Sequence, residues 1–95
     1  AFSTDILDRY AKQIVAEPRI TLTITAHFDE DNNDYDVSLG ESSKLAKLVS
    51  EYLTSKGASM EKVNVFPRGN NEPMAESDSQ KGKEINRRVE LKFSL

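Results

Sequence analysis

AHFDEDNNDYDVSLGESSKLAKLVSEYL, residues Ala26 to Leu53, decides the fold, because it passes from a strand end through an acidic loop into a long amphipathic helix. The loop from Asp29 to Asp36 carries five acids and no base. A ligand or cation site, or a well-solvated connection, accounts for that density. Beyond the loop, Ser38 and Glu41 stand in the capping-box arrangement, which places the helix start near Leu39. Leu45, Leu48, Val49, Tyr52 and Leu53 make its apolar stripe, and Lys56 with Gly57 stops it after about four turns of 3.6 residues.

Toward the N-terminus, Arg19 to Ala26 alternates, with Ile20, Leu22, Ile24 and Ala26 on one face and Arg19, Thr21, Thr23 and Thr25 on the other. That pattern predicts a strand with one buried face. His27 closes it and, with no nucleophile partner in view, reads as structural. Further back, Ile6, Leu7, Tyr10, Ala11, Ile14 and Val15 recur at helical spacing, predicting a first helix from Ser3 to Ala16. Ser3 or Thr4 can cap it, and Pro18 ends it by forcing Glu17 out of the helical region.

Toward the C-terminus, Val63 to Phe66 is a β-prone run ahead of Pro67 and predicts a second strand. Arg68 to Lys81 reads as irregular, with Asp78 to Glu84 open to a short helix. Arg88 to Leu95 alternates again and closes the chain as a strand. The order predicts an α/β two-layer sandwich, two main helices packed on a small mixed β-sheet. If the first two strands are parallel, the long helix crosses over between them.

A length of 95 residues fits a single domain, 1–95. The net charge of −3 argues against a nucleic-acid partner, which needs a basic face. With no cysteine, disulfides, thiolate catalysis and cysteine-based zinc sites are excluded. No apolar run approaches the roughly 18 residues of a membrane span, and the first residues show no basic segment followed by an apolar one. An opening on Ala1 and Phe2 directly before helix-like residues points to a C-terminal fragment of a longer protein, with a further strand ahead of Ala1.

The order of features and several motifs resemble the OmpA-like C-terminal domain, the peptidoglycan-associated module of outer-membrane porins, peptidoglycan-associated lipoproteins and flagellar stator proteins. The family has Gly-His-Thr-Asp at a strand end and Asn-x-x-Leu-Ser or Leu-Gly opening a helix that contains Arg-Ala. This chain has Ala26 His27 Phe28 Asp29, then Asp36 Val37 Ser38 Leu39 Gly40 Glu41. Downstream, Pro67 Arg68 Gly69 Asn70 Asn71 Glu72 Pro73 is similar to Gly-Tyr-Gly-Glu-x-x-Pro. Gly82 Lys83 Glu84 Ile85 Asn86 Arg87 Arg88 Val89 Glu90 is similar to Gly-Arg-x-x-Asn-Arg-Arg-Val-Glu, the most specific of these signals.

The resemblance implies noncovalent binding of the peptidoglycan stem peptide in the periplasm, anchored on diaminopimelate. It implies that Asp29 takes the ligand ammonium and that a helix arginine takes its carboxylate. The arginine position falls on Ser43 counting forward from Leu39 and on Leu45 counting back from Tyr52, because the helix segment is two residues longer than usual. Lys44 is the nearby cation. Asp36 stands at the family's Asn, and Arg88, or else Arg87, is the cation retained from the last motif. The site is therefore expected to comprise Asp29, Asp36, Ser43, Lys44, Arg87 and Arg88, with Asp29 facing Arg88 across a shared cleft. Asp29→Ala is expected to abolish binding and leave the fold intact.

A second reading keeps the fold as a protein interaction module in an envelope assembly, with peptidoglycan binding lost. A calcium loop at Asp29, Asp31 and Asn33 fits less well, since Asp34 replaces the turn glycine and Gly40 the closing glutamate. No nucleophile and base, metal triad or phosphate loop suggests an enzyme, and no cofactor or metal is called for.

Overall fold

A computed structural model describes residues 4–76 and 79–95. The elements in order are α1 (Thr4–Ala16), β1 (Thr21–His27), α2 (Tyr35–Ser55), a 3-10 turn (Met60–Lys62), β2 (Val63–Gly69), α3 (Gln80–Asn86) and β3 (Arg88–Ser94). The sheet order is β2-β1-β3, with β1 parallel to β2 and antiparallel to β3. Parallel neighbours need a crossover, and α2 makes it. The expected α/β sandwich with a mixed sheet is what forms.

Register explains why the helices cover one face. Leu22, Ile24 and Ala26 stand opposite Phe93, Leu91 and Val89, and opposite Val63, Val65 and Pro67 on the other side. These residues therefore share a face. Leu22, Ile24 and Ala26 are fully buried there with Leu7, Ala11 and Ile14 of α1, Ala46, Val49 and Leu53 of α2, and Ala58. Tyr10 stacks on Phe93 with ring centroids 4.8 Å apart. Burial at about 25 cal/mol per Å² of apolar surface is the main source of stability here.

Several boundaries and faces differ from the sequence reading. α2 begins at Tyr35, a turn before Leu39, because the Asp34 carboxylate accepts the Val37 N–H at 3.0 Å and is the N-cap. Ser38 does not cap; it is fully buried and its hydroxyl accepts the Glu30 N–H at 3.0 Å. The helix runs 21 residues, well beyond four turns. Its buried face is Ser38, Ser42, Ala46, Val49 and Leu53, while Leu48 is 66% exposed. Ile6 and Val15 of the α1 stripe are likewise exposed, because the sheet needs a narrower cover than every apolar residue supplies.

The end of α2 is a Schellman motif: Ala58 N–H reaches the Leu53 carbonyl and Gly57 N–H the Thr54 carbonyl, both at 3.1 Å, with Gly57 at φ 106°. The expected Lys56–Gly57 stop is thereby seen. β1 starts at Thr21, after a turn, and includes His27. β2 continues through Pro67 to Gly69, since an edge strand tolerates proline. α3 spans Gln80–Asn86, so the short helix left open over Asp78 to Glu84 forms from Gln80 and runs two residues further, and the irregular stretch ends before Gln80. Asp78 and the Ser3 cap lie outside the described residues. Lys62 caps α1 from the 3-10 turn, donating to the Ile14 carbonyl and, at 2.7 Å, to that of Glu17.

Candidate functional site

Two residues past β1, Asp29 lies at the C-terminal end of the central strand, its side chain 0% exposed. An unpaired carboxylate there would be prohibitively costly. Lys83 of α3 brings its ammonium to 3.3 Å from Asp29 Oδ1, and the Asn86 amide donates to Oδ2 at 2.8 Å. The same ammonium donates to the Glu30 carbonyl at 2.8 Å and to Asn33 Oδ1. An ammonium has three N–H donors, and three oxygens surround this one. Such pairs persist when remaining donors and acceptors are met, as they are around Lys83.

The loop holds this shape through its own acids. Asn33 sits at φ 58°, which asparagine tolerates better than most residues, and this turns its side chain toward Lys83. The Glu30 carboxylate accepts the Asn32 and Asp34 N–H groups, and Asp34 caps α2. Asp31 pairs with Arg87 at 2.8 Å. The acidic density is thus absorbed by named partners. Ser42, one turn beyond Ser38 and fully buried, accepts the Gly69 N–H at 2.9 Å, so small residues let α2 approach the end of β2.

Asn86 joins α3 to the segment before it. Its Oδ1 accepts the Met74 and Ala75 N–H groups at 2.8 and 2.9 Å, and its amide donates to the Ala75 carbonyl as well as to Asp29. Gly82 allows the approach: a Cβ there would stand 1.8 Å from the Glu76 carbonyl oxygen. The Ser79 hydroxyl caps α3 at the Gly82 N–H.

Of the six expected site residues, Arg87 is brought to Asp29: its Nε donates to the Asp29 backbone carbonyl at 2.9 Å and its guanidinium lies 4.7 Å above the Phe28 ring. Arg88 is directed elsewhere, donating to the Glu72 carbonyl at 2.9 Å and pairing with Glu90 at 3.4 Å. The expected Asp29–Arg88 cleft is replaced by the Asp29–Lys83 pair. Arg88 stands opposite His27 in register, on the sheet face opposite Leu22, Ile24 and Ala26, and Glu72 and Glu90 hold its guanidinium there. His27 there pairs through Nε2 with Glu90 at 2.6 Å, a structural contact.

Asp36 is exposed in the first turn of α2, where the helix dipole favours a carboxylate. The Ser43 hydroxyl returns to the Leu39 carbonyl, and Lys44 pairs with Glu41 at 3.2 Å in solvent. Leu45, at the other counted position of the helix arginine, packs against the core. The expected site set leaves out Lys83, Asn86 and Asn33; the sequence reading takes Asn33 only as a calcium-loop ligand and Asn86 only as part of the motif. Lys83 and Asn86 stand three apart on a helix and so share a face, a signal present in the Gly82–Glu90 motif but read there for its arginines.

Known proteins share this architecture. The chain is 29% identical over 87 residues to the peptidoglycan-binding protein ArfA of Mycobacterium bovis, covering 92% of this chain and 26% of that protein. It thus spans about a quarter of the curated relatives' length. The peptidoglycan-associated lipoprotein of Burkholderia pseudomallei superposes with a TM-score of 0.87 at 21% identity, over 95% of this chain and 75% of the other. The C-terminal domain of Helicobacter pylori MotB gives 0.80 at 24% identity, over 100% and 76%. At those identities the two solved structures establish the fold. The OmpA family pattern matches residues 1–87, taking in the strand end, the acidic loop, the long helix and Lys83 with Asn86, and the chain belongs to the OmpA family.

Proposed function

We propose that this domain binds peptidoglycan noncovalently in the bacterial cell envelope, at the diaminopimelate residue of the stem peptide, as a binding and not a catalytic module. The observation that supports this reading is the set of three oxygens from Asp29, Glu30 and Asn33 that accept one ammonium, with the Arg87 guanidinium beside it. A zwitterionic amino-acid head needs one anionic and one cationic contact. Arg87 is suited to the carboxylate, because its partner Asp31 is 70% exposed and a solvent-facing pair is easily exchanged. A wall ligand implies a periplasmic location as part of this proposal, and the names of ArfA and of the Burkholderia lipoprotein accord with that partner.

One observation favours a second reading. The Asp29 carboxylate is fully buried and already neutralised by Lys83, and α2 presents Ser43 and Leu45 where a cation was expected. A domain closed in this way would serve as a protein interaction module in an envelope complex. Sedimentation with purified sacculi separates the two, together with an NMR titration using a diaminopimelate-containing stem peptide. The anchor reading expects wild type to co-sediment, Arg87→Ala to be released, and shifts at residues 29–33 and Arg87. A folded wild type that stays in the supernatant and shows no shift at millimolar peptide refutes it and favours the second.

A further inference from the structure

We infer that the oxygens around the Lys83 ammonium form a binding site for primary ammonium groups that the chain keeps filled itself, Lys83 acting as a resident competitor for any external amine. The inference deepens the reading above, on whose Asp29 contact it rests, by naming what an incoming ammonium must displace. Three features carry it. The acceptors come from three residues of one loop, the Asp29 carboxylate, the Glu30 carbonyl and the Asn33 side chain, and converge on one point. Each has its own support: Asn86 holds Asp29, the Glu30 carboxylate holds the loop turn, and Asn33 is turned inward by its left-handed backbone. The occupant comes from a different element, the seven-residue α3, at the end of a long flexible side chain.

The acceptor set thus belongs to the loop and the occupant to α3. A ligand ammonium and the Lys83 ammonium ask for the same three oxygens, so they exclude one another. Arg87, by contrast, is 28% exposed and remains open to a ligand carboxylate while Lys83 is in place. Because Lys83 must first be displaced, the wild-type domain is expected to favour stem peptides with a free side-chain ammonium by a smaller factor than a variant without Lys83 does.

Chemical rescue tests the site directly. Lys83→Ala deletes the atoms of a propylammonium ion, so n-propylammonium should refill the gap. Near ten times its Kd it multiplies the folding constant about tenfold, raising the melting temperature by roughly 6–11 °C in a saturable way. Wild type should not respond, nor should Lys83→Met, whose side chain blocks the gap. Trimethylpropylammonium, lacking N–H donors, and n-propanol, lacking charge, should not rescue Lys83→Ala. If that variant is unfolded alone, folding driven by propylammonium supports the inference. Absence of rescue, equal rescue by the trimethylated ion, or a matching response of Lys83→Met overturns it. Wild type gives an independent reading: Lys83 ammonium protons should be protected enough from exchange to be seen by NMR near neutral pH, and rapid exchange like that of a surface lysine counts against the site. Sacculus binding is scored separately. Rescue without it keeps the ammonium site and discards the wall anchor; wild-type binding without rescue does the reverse.

Discussion

Removing the Asp29 carboxylate should cost the domain a large share of its stability. In Asp29→Ala the Lys83 ammonium, with its side chain 7% exposed, keeps two neutral acceptors and loses its counter-charge, while the Asn86 amide loses an acceptor. Breaking a buried pair by deleting one partner costs about 3–5 kcal/mol, against the roughly 5–15 kcal/mol that holds a domain folded. Urea unfolding followed by circular dichroism is a suitable assay. With a slope near 1.5 kcal/mol/M, the midpoint should fall by about 2–3 M. The expectation from sequence, that this variant leaves the fold intact, does not survive the burial of the carboxylate. Combined with Lys83→Met, which removes the orphaned ammonium, the loss should be smaller than the sum of the single losses by at least about 1 kcal/mol. A single-variant loss under about 1 kcal/mol, or additivity within about 0.5 kcal/mol, would refute the argument.

Three further outcomes are expected. Gly82→Ala would drive a Cβ into the Glu76 carbonyl, so α3 or the segment before it must shift, at about 1–3 kcal/mol; an unchanged urea midpoint would show that the segment yields freely. Asp34→Ala should cost about 1 kcal/mol as loss of the α2 cap, and a loss as large at Glu41→Ala, with none at Asp34, would restore the helix start near Leu39. The Tyr52 hydroxyl donates to Asp8 at 2.7 Å, and this hydrogen bond to a carboxylate, followed by burial, pushes its pKa above the ordinary 10.0. Because the folded value is the higher, the stabilisation is full below the unfolded value and is lost as pH rises through the folded one. Tyr52→Phe should flatten that alkaline decline in the urea midpoint; an identical decline would place its origin elsewhere.

Much of the fold was legible because it depends on short-range pattern. Alternation in β1 and β3 and the Lys56–Gly57 stop of α2 each have a local cause, and the motif spacing around Asn86 pointed to the family. Misreadings arose where several local signals competed. Ser38 with Glu41 and Asp34 alone are both plausible caps, and the choice fell to Asp34 because the Ser38 hydroxyl is taken by Glu30 across the loop. Leu48 fits a helical stripe but points outward, since the small residues Ser38, Ser42 and Ala46 are what α2 turns to the sheet.

The sequence by itself determined the α/β layering, the strand with one apolar face and the acidic loop, with Asp29 at its start, ahead of a long helix. Tertiary structure alone decided which cation meets that carboxylate. Charge and position along the chain do not single out one of Lys83, Arg87 and Arg88 as the partner, for they lie within six residues of one another and all carry the same charge. Their directions differ because α3 turns Lys83 and Asn86 to one side, while the pleat of β3 sends Arg88 to the face shared with His27. Whether an ion pair forms depends on where two backbones place their side chains, and that is settled by packing between elements distant in the chain.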